Sequence, residues 1–376
     1  MRVLFVSHSA DLGGAEVTLA EGVTALAQRG VEAHVALPEA GPLEQRLVDA
    51  ASVSVAPEPW PWWLSANRAR DWSALLRGSG SAVGHVRARI RELRPDVVLT
   101  NTSTFPQGAI AARLERVPHA WHVHEFGRED LGLRNVLGDR FGRRLIGSLS
   151  SRAIACSHAV AELLRRNVPE EKIRVVYGAV QVRESATPAP PDPPLRLLTL
   201  GRLHPSKGLE DAIRATAILS ARGLDVDLNV VGGGPRSPYR PALERLASEL
   251  AVGDRIRFSV HTPAPAAELA RSHVFLMTSR AEAFGRVTIE AMKAGRAIIA
   301  ARSGGSLELV RDGQTGLLYR PGDADGLAGQ INRLYEDPAL RAEIAGRSLD
   351  WAKERFTLER HGEDLHRVLA EAVSGD

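Results

Sequence analysis

Cysteine is almost absent from this sequence of 376 residues, in which Cys156 is the only one. A single cysteine excludes an intrachain disulfide and a zinc site built from several thiolates. Long apolar runs are missing as well, since none approaches the roughly 18 residues that a membrane-spanning helix requires. The first apolar stretch, RVLFVS, is too short for a secretory signal peptide. We therefore expect a cytoplasmic protein, and peripheral contact with the inner face of a membrane stays open.

Lysine is the other scarce residue. Only Lys172, Lys207, Lys293 and Lys353 are present, so arginine supplies nearly all of the positive charge, and the formal net charge is +3. Because the arginines form no dense basic block, the composition does not predict a nucleic-acid-binding surface. The same scarcity makes a lysine inside a motif more informative than it would be elsewhere.

Short apolar runs alternate with helical patterns along the first half of the chain. The runs are RVLFVS, VEAHVALP, DVVLTNTS, HAWHVHEF and SRAIACS. Such alternation predicts parallel strands that are connected by helices. The proline-rich stretch VRESATPAPPDPP interrupts the pattern, which restarts at LRLLTLGRL. We therefore predict an α/β protein with an N-terminal domain at 1–181, a linker at 182–194, a C-terminal domain at 195–350 and a terminal helix at 351–376.

Two cationic residues follow the first strand of the C-terminal domain, in the loop GRLHPSKG. They are Arg202 and Lys207. Ligands of doubly wound sheets bind at the carboxyl ends of the strands, where an arginine and a lysine suit a diphosphate. Solvated loop charges explain the loop equally well.

Two carboxylates stand eight residues apart in RAEAFGRVTIEAMKAG. Glu282 precedes a predicted turn at Gly285, and Glu290 lies about one turn inside the helix that follows. The start of that helix is an anion site, because its amides carry a partial positive charge. We interpret the two acids as contacts to opposite ends of one ligand, such as a nucleotide-sugar, rather than as a general acid–base pair.

Together, GRLHPSKG, the glycine-rich GGGP, EAFGRVTIE and SGGSLELVRDGQTGLL resemble the retaining nucleotide-sugar glycosyltransferases of glycosyltransferase family four, also called group 1. The resemblance covers nearly the whole chain and is most specific from residue 199 to 321. It implies the GT-B fold, in which two Rossmann-like domains face each other across a cleft. The first domain of that fold binds the acceptor and the second binds the nucleotide-sugar, while the terminal helix packs back on the first. Thr278 is a departure, since the family usually has proline there.

The resemblance also implies roles for matching residues. Arg202 and Lys207 would hold the donor diphosphate, Glu282 the hydroxyls of the transferred sugar, and Glu290 those of the ribose. The remaining donor contacts would come from the N-terminal glycines and from the residues at the helix start, namely Gly13, Gly14, Phe284, Gly285, Arg286 and Val287. His124 would lie at the sugar ring, which makes His124 and Glu282 the catalytic candidates.

The implied reaction is retaining transfer from a UDP- or GDP-sugar to a hydroxyl acceptor by front-side attack, with neither a metal nor a cofactor. The acceptor would be a saccharide, a lipid-linked sugar or a small natural product. Two alternatives stay open: a nucleotide-sugar epimerase of the same fold, and a non-catalytic binding subunit. The sequence fixes neither the sugar nor the base, and it says nothing of the oligomeric state.

Two further features of the N-terminal domain have alternative interpretations. His124 is either a site residue or a packed or solvated histidine, and we expect His122 and His124 to point to opposite faces of their strand, which argues against a zinc site. The tryptophan-rich stretch at 57–72 either contacts an acceptor or membrane or forms a satellite hydrophobic cluster.

Overall fold

The computed structural model describes residues 1–57, 59–66, 68–182, 190–234, 237–260, 262 and 265–375. The chain divides into two compact units: unit 1 comprises Met1–Val180 and Phe356–Asp376, and unit 2 comprises Gln181–Arg355. Most of the predicted linker, residues 183–189, lies outside the described residues. The first residues of the predicted terminal helix, 351–355, belong to unit 2, because a break at Phe356 and Thr357 separates two helices.

Unit 1 contains a parallel sheet of seven strands, in the order β3-β2-β1-β5-β6-β8-β9. The strands of this unit are β1 (Arg2–Ser7), β2 (Glu32–Leu37), β3 (Ser52–Val55), β4 (Leu64–Ser65), β5 (Val97–Asn101), β6 (His119–Val123), β7 (Arg134–Asn135), β8 (Arg152–Ala155) and β9 (Ile173–Val175). The two short strands β4 and β7 pair with each other. The strand order reverses between β1 and β5, which makes their carboxyl ends the switch point of this unit.

Helices cover both faces of the unit 1 sheet. Those that precede the second unit are α1 (Gly14–Ala27), α2 (Pro42–Leu47), α3 (Arg68–Leu93), α4 (Gln107–Glu115), α5 (Arg128–Leu131), α6 (Asp139–Leu149) and α7 (His158–Arg165). Val3 and Phe5 of β1 pack into one hydrophobic cluster, and Leu4 and Val6 into another. Burial on both faces explains why the strands of the sequence are continuous apolar runs rather than alternating ones.

Unit 2 contains a parallel sheet of six strands, in the order β12-β11-β10-β13-β14-β15. Its strands are β10 (Leu195–Leu200), β11 (Val226–Val231), β12 (Ile256–Ser259), β13 (Val274–Met277), β14 (Ala297–Ala301) and β15 (Leu317–Tyr319). Its helices are α8 (Leu209–Ala221), α9 (Arg240–Glu249), α10 (Pro265–Ala270), α11 (Arg286–Lys293), α12 (Ser306–Leu309), α13 (Ala324–Glu336) and α14 (Pro338–Arg355). The order reverses between β10 and β13. Two parallel, doubly wound sheets confirm the predicted α/β class.

The last helix, α15 (Leu358–Ser374), belongs to unit 1. Leu365, Val368 and Leu369 of this helix enter the same hydrophobic cluster as Leu19 and Val23 of α1. No described helix is both long and apolar enough to cross a membrane.

Candidate functional site

The loop after β10 and the loop after β13 are hydrogen-bonded to each other at the switch point of unit 2. The amide of Arg280 donates to the Ser206 carbonyl at 2.8 Å, and the Thr278 hydroxyl donates to the Lys207 carbonyl at 2.7 Å. Thr278, where the family usually has proline, therefore fixes the position of the Lys207 backbone. This role was invisible in the sequence, since the partner lies 71 positions away.

Lys207 and Glu282 form an ion pair across this switch point. The distance between Lys207 Nζ and Glu282 Oε2 is 2.8 Å, and the side chains are 20% and 12% exposed. The resemblance assigned them to different parts of the donor, the diphosphate and the sugar. The structure brings them into direct contact, so one ammonium group can orient the carboxylate and still present its remaining protons to an anion.

Arg202 lies on the same loop after β10 as Lys207. Its side chain is exposed and makes no hydrogen bond or ion pair with any residue that the structure describes. Arg202 and Lys207 line the same small cavity, together with Thr278. An unpaired guanidinium next to a partly buried ammonium group is a suitable surface for a phosphate.

The backbone of Glu282 is held by the glycines that follow β14. The Gly305 amide donates to the Glu282 carbonyl at 2.7 Å. Gly304 has φ 48°, and a Cβ atom there would lie 2.2 Å from the Glu282 carbonyl oxygen. The two glycines of SGGSLELV therefore position the backbone of Glu282. Only glycine lets the chain at residue 304 come this close to the Glu282 carbonyl.

Helix α11 places Glu290 on the same half-exposed face as the helix start. Arg286, Val287 and Glu290 are partly exposed, whereas the intervening Thr288 and Ile289 are buried. Residues three and four positions apart share a helix face, so this face joins Glu290 to the N-terminal turn. Phe284 and Gly285 are buried just before the helix, and Gly285 has φ 98°, which starts the turn.

In unit 1, His124 follows β6 and forms a hydrogen bond with Asn101, a residue that the sequence analysis did not identify. His124 Nε2 lies 2.8 Å from Oδ1 of Asn101, the last residue of β5. The neighbouring Glu125 is occupied by the protein backbone. Its buried carboxyl accepts hydrogen bonds from the amides of Ser103 and His124, and burial raises its pKa to about 7. The only signal in the sequence was that Asn101 ends a strand next to the switch point.

The prediction that His122 and His124 point to opposite faces is wrong. Their ring centroids are 4.0 Å apart. Alternate residues of a strand share a face, and this period of two applies to positions 122 and 124. Burial holds the pKa of His122 well below its ordinary value, so the ring next to His124 is neutral. Even so, no three histidine, cysteine or carboxylate side chains among the described residues gather as metal ligands.

Unit 2 contains two Asp-x-Asp sequences, a spacing that can bind a metal ion, and in each of them at least one aspartate has a protein partner. Asp225 and Asp227 both pair with Arg255, at 2.6 and 3.4 Å, and they flank the first residue of β11, at the end of the strand opposite to the switch point. Asp323 of the other pair, which includes Asp325, accepts the Gly326 amide as the N-cap of α13. Neither pair lies beside Lys207 and Glu282 in the sheet topology.

The loop after β1 ends at Gly13, and Gly14 is the first residue of α1; the side chain of Glu16 lies against this junction. A Cβ atom on Gly13 would lie 2.5 Å from Glu16 Oε2, so the carboxyl occupies the space that glycine leaves. Glu16 Oε1 is 3.2 Å from Nε2 of His8, which follows β1. Burial raises the pKa of Glu16 to about 7 and lowers the pKa of His8 to about 4, so between these two values both side chains are uncharged and the contact is not an ion pair.

The tryptophan-rich stretch separates into buried and exposed residues. Trp60 stacks on Phe105 and is 4% exposed, and Trp63 is 2% exposed. Both are buried core residues, and Trp60 packs in the cluster of Leu4 and Val6 of β1 rather than in a satellite cluster. Trp62 is 39% exposed, lies 5.1 Å from the His8 ring and donates from Nε1 to the His8 carbonyl. The side chain of Trp72 lies outside the described part of the structure.

Comparisons with known proteins agree with this architecture. A family model of the glycosyl transferases group 1 matches residues 182–349, and a model of glycosyltransferase family 4 matches residues 12–184. Among solved structures, Alr3699/HepE of Anabaena in complex with UDP-glucose gives a TM-score of 0.80 at 24% identity, covering 99% of this chain and 100% of that chain. Sucrose-phosphate synthase of Thermosynechococcus elongatus gives 0.79 at 19% identity, covering 100% of both chains. These likenesses define the fold as GT-B.

Curated relatives match over shorter regions. A GDP-mannose-dependent alpha-(1-6)-phosphatidylinositol monomannoside mannosyltransferase of Mycolicibacterium smegmatis is 34% identical over 46% of this chain and 47% of its own length. A D-inositol 3-phosphate glycosyltransferase of Acidothermus cellulolyticus is 40% identical over 47% of this chain and 41% of its own length. The match therefore spans about half of these two relatives or less. The lipopolysaccharide core biosynthesis glycosyltransferase LpsE of Rhizobium meliloti is 30% identical over 62% of this chain and 68% of its own length. The chain belongs to glycosyltransferase family 4, in the group 1 glycosyl transferases.

Proposed function

We propose that the protein is a retaining glycosyltransferase, which moves a sugar from a nucleoside-diphosphate sugar to a hydroxyl group of an acceptor. The observation that carries this proposal is the Lys207–Glu282 pair, together with Arg202, which lines the same small cavity as Lys207 and has no partner among the described residues. All three side chains follow the adjacent strands β10 and β13, where doubly wound sheets bind their ligands. A cationic group suits the diphosphate, and a carboxylate suits the hydroxyls of the sugar.

The nucleotide half of the donor would lie along α11. Glu290 is on the partly exposed face of that helix and would accept hydrogen bonds from the ribose hydroxyls, while the helix start faces the phosphates. One curated relative uses GDP-mannose, and the HepE structure holds UDP-glucose. Both names support a nucleotide-sugar donor, and the proposal covers UDP- and GDP-sugars alike.

The chemical step would be a front-side attack, in which the acceptor oxygen approaches from the side of the leaving diphosphate. The departing phosphate takes the acceptor proton, and the anomeric configuration is retained. Arg202, Lys207 and the start of α11 would stabilise the charge that develops on the diphosphate. Because these groups supply positive charge themselves, we propose that transfer needs no metal ion and no cofactor.

Unit 1 would supply His124, Gly13 and Gly14 to the donor and would bind the acceptor. Trp62 presents an exposed indole at the edge of unit 1 where β1 ends. Aromatic faces pack against the apolar faces of sugar rings while leaving the hydroxyls solvated. We therefore assign Trp62 to the acceptor, whether this is a saccharide, a lipid-linked sugar or a small natural product.

The proposal is tested by incubating the purified protein with UDP-, GDP- and dTDP-sugars and measuring nucleoside-diphosphate release with and without an acceptor panel, in buffer that contains EDTA. We expect acceptor-dependent release from at least one donor, with an α-linked product from an α-linked donor by NMR. Glu282→Gln is the control variant, and we expect it to release less nucleoside diphosphate than the wild type because it lacks the carboxylate that contacts the sugar. The absence of release from every donor would overturn the proposal.

The same assay separates the alternatives. An epimerase would release the nucleoside diphosphate and an altered free sugar without any acceptor. A binding subunit would bind a donor in calorimetry and release nothing.

A further inference from the structure

Asn101 makes two hydrogen bonds that join the two sequence-predicted parts of unit 1. Its Oδ1 lies 2.8 Å from His124 Nε2, and its Nδ2 lies 3.2 Å from the carbonyl oxygen of Ala15, which adjoins Gly13 and Gly14. The residue is fully buried. In the sheet register it is paired with Ser7 on one side and with His122 on the other, so it stands at the switch point between β1 and β5.

These two contacts determine which way the Asn101 amide points. The Ala15 carbonyl can only accept a hydrogen bond, so the NH₂ group of Asn101 must face it. The amide oxygen must then face His124. The reverse orientation would place two oxygen atoms against each other at Ala15, so hydrogen-bond chemistry excludes the amide flip that coordinates alone leave open.

The orientation of the amide also determines the tautomer of His124. An amide oxygen has no proton to give, so the hydrogen bond at 2.8 Å requires that Nε2 of His124 carries the proton. In the neutral ring, Nδ1 is then the acceptor. The contact with Asn101 therefore specifies the Nε2–H tautomer of the neutral His124 ring.

We propose that Asn101 is a positioning residue, which fixes His124 as its Nε2–H tautomer and couples it, through the first turn of α1, to the loop that ends at Gly13 and Gly14. This rests on the proposed function, in which His124 lies at the transferred sugar and the loop approaches the donor phosphate. The juxtaposition is built by the fold: β5 carries Asn101 between β1, which leads into the loop, and β6, which leads into His124. A donor that orders the loop would thus also order the histidine.

The two hydrogen bonds can be separated by substitution. Asn101→Ala removes both. Asn101→Asp keeps an oxygen that accepts from His124 Nε2 but loses the donor to Ala15, where it places a second oxygen. The matched control is Asn135→Ala, because Asn135 is another buried asparagine of unit 1, and its Oδ1 accepts the Leu137 amide at 2.9 Å.

The first readout is nitrogen NMR of protein labelled with ¹⁵N-histidine, in the pH range where the ring is neutral. The His124 signals are identified by their loss in His124→Gln. We expect a protonated Nε2 and an unprotonated Nδ1 in the wild type, in Asn101→Asp and in Asn135→Ala, and a mixture of tautomers in Asn101→Ala. A wild-type His124 with its proton on Nδ1 would overturn the proposal without any variant. An unchanged tautomer in Asn101→Ala would do the same.

The second readout is kinetic and uses whichever donor the wild type accepts. Loss of one net hydrogen bond to the reacting site corresponds to roughly a 10-fold effect. We expect Asn101→Ala to lower kcat by roughly this factor, and Asn101→Asp to raise the donor KM more than it lowers kcat. Equal parameters in Asn101→Asp and wild type would refute the coupling to the loop. If the wild type releases no nucleoside diphosphate from any donor, the proposed function fails, whereas the NMR result still decides the tautomer.

Discussion

The pair between Lys207 and Glu282 leads to a quantitative prediction, because its burial can be compared with that of another pair in the same unit. At 2.8 Å, the attraction is about 6 kcal/mol in an effective dielectric of 20. Removing two partly buried ions from water opposes this by several kcal/mol. We expect a net coupling of about 2 kcal/mol, which is within the range for residues in direct contact.

The coupling is measured by a double-mutant cycle with Lys207→Met, Glu282→Gln and the double variant. Each protein is unfolded in urea at low ionic strength, and the interaction energy is the difference between the double change and the sum of the single changes. The control is a cycle on Arg240 and Glu244, which form a pair of similar length, 2.7 Å, with a cation of similar exposure (24%) and a more exposed carboxylate (46%). We expect about 0.3–0.5 kcal/mol for this pair on one helix, because water screens its more exposed carboxylate.

The same cycle can be followed by donor binding in calorimetry. Lys207→Met removes positive charge from the proposed diphosphate site, so it should weaken donor binding more than Glu282→Gln does. In the unfolding experiment, equal coupling energies for Lys207–Glu282 and Arg240–Glu244 would refute the claim that burial strengthens the first pair. Donor affinity unchanged in Lys207→Met would refute the assignment of this lysine to the diphosphate.

Three further predictions concern other residues. Glu290→Gln should weaken donor binding with little change in kcat, whereas Glu282→Gln should lower kcat as well; equal and small effects would make both acids surface carboxylates. Burial raises the pKa of Glu16 from 4.5 to about 7, so the folded state holds this proton more tightly than the unfolded state, and the contribution of Glu16 to stability falls as the pH rises through that window. From pH 4.5 to pH 7, the free energy of unfolding of Glu16→Gln, measured in urea, should therefore rise by about 3 kcal/mol relative to that of the wild type. A difference that does not change with pH would contradict this prediction. His8, whose pKa burial lowers to about 4, has the opposite effect on the pH dependence of stability, but it is present in both proteins. Trp62→Ala should raise the acceptor KM at least several-fold and leave donor binding unchanged, and an unchanged acceptor KM would place the acceptor elsewhere.

The sequence was sufficient for the class of the fold and for the elements that carry the candidate site. The continuous apolar run RVLFVS is a strand buried on both faces, and this pattern is local. The positions of Arg202, Lys207, Glu282 and Glu290 after strands or on a helix start were likewise readable, since turns and helix starts depend on neighbouring residues. The shared face of His122, in β6, and His124, directly after it, was readable from their spacing of two, and our assignment of opposite faces was wrong.

Only the tertiary structure decided which side chains meet. Lys207 contacts Glu282, 75 positions away, and the Thr278 hydroxyl donates to the Lys207 carbonyl, 71 positions away. Asn101 contacts His124, 23 positions away, and Ala15, 86 positions away. The strand order, which reverses between β1 and β5 and between β10 and β13, brings these distant residues to one edge of each sheet. A pattern within one segment cannot encode such contacts, because they depend on which strands become neighbours.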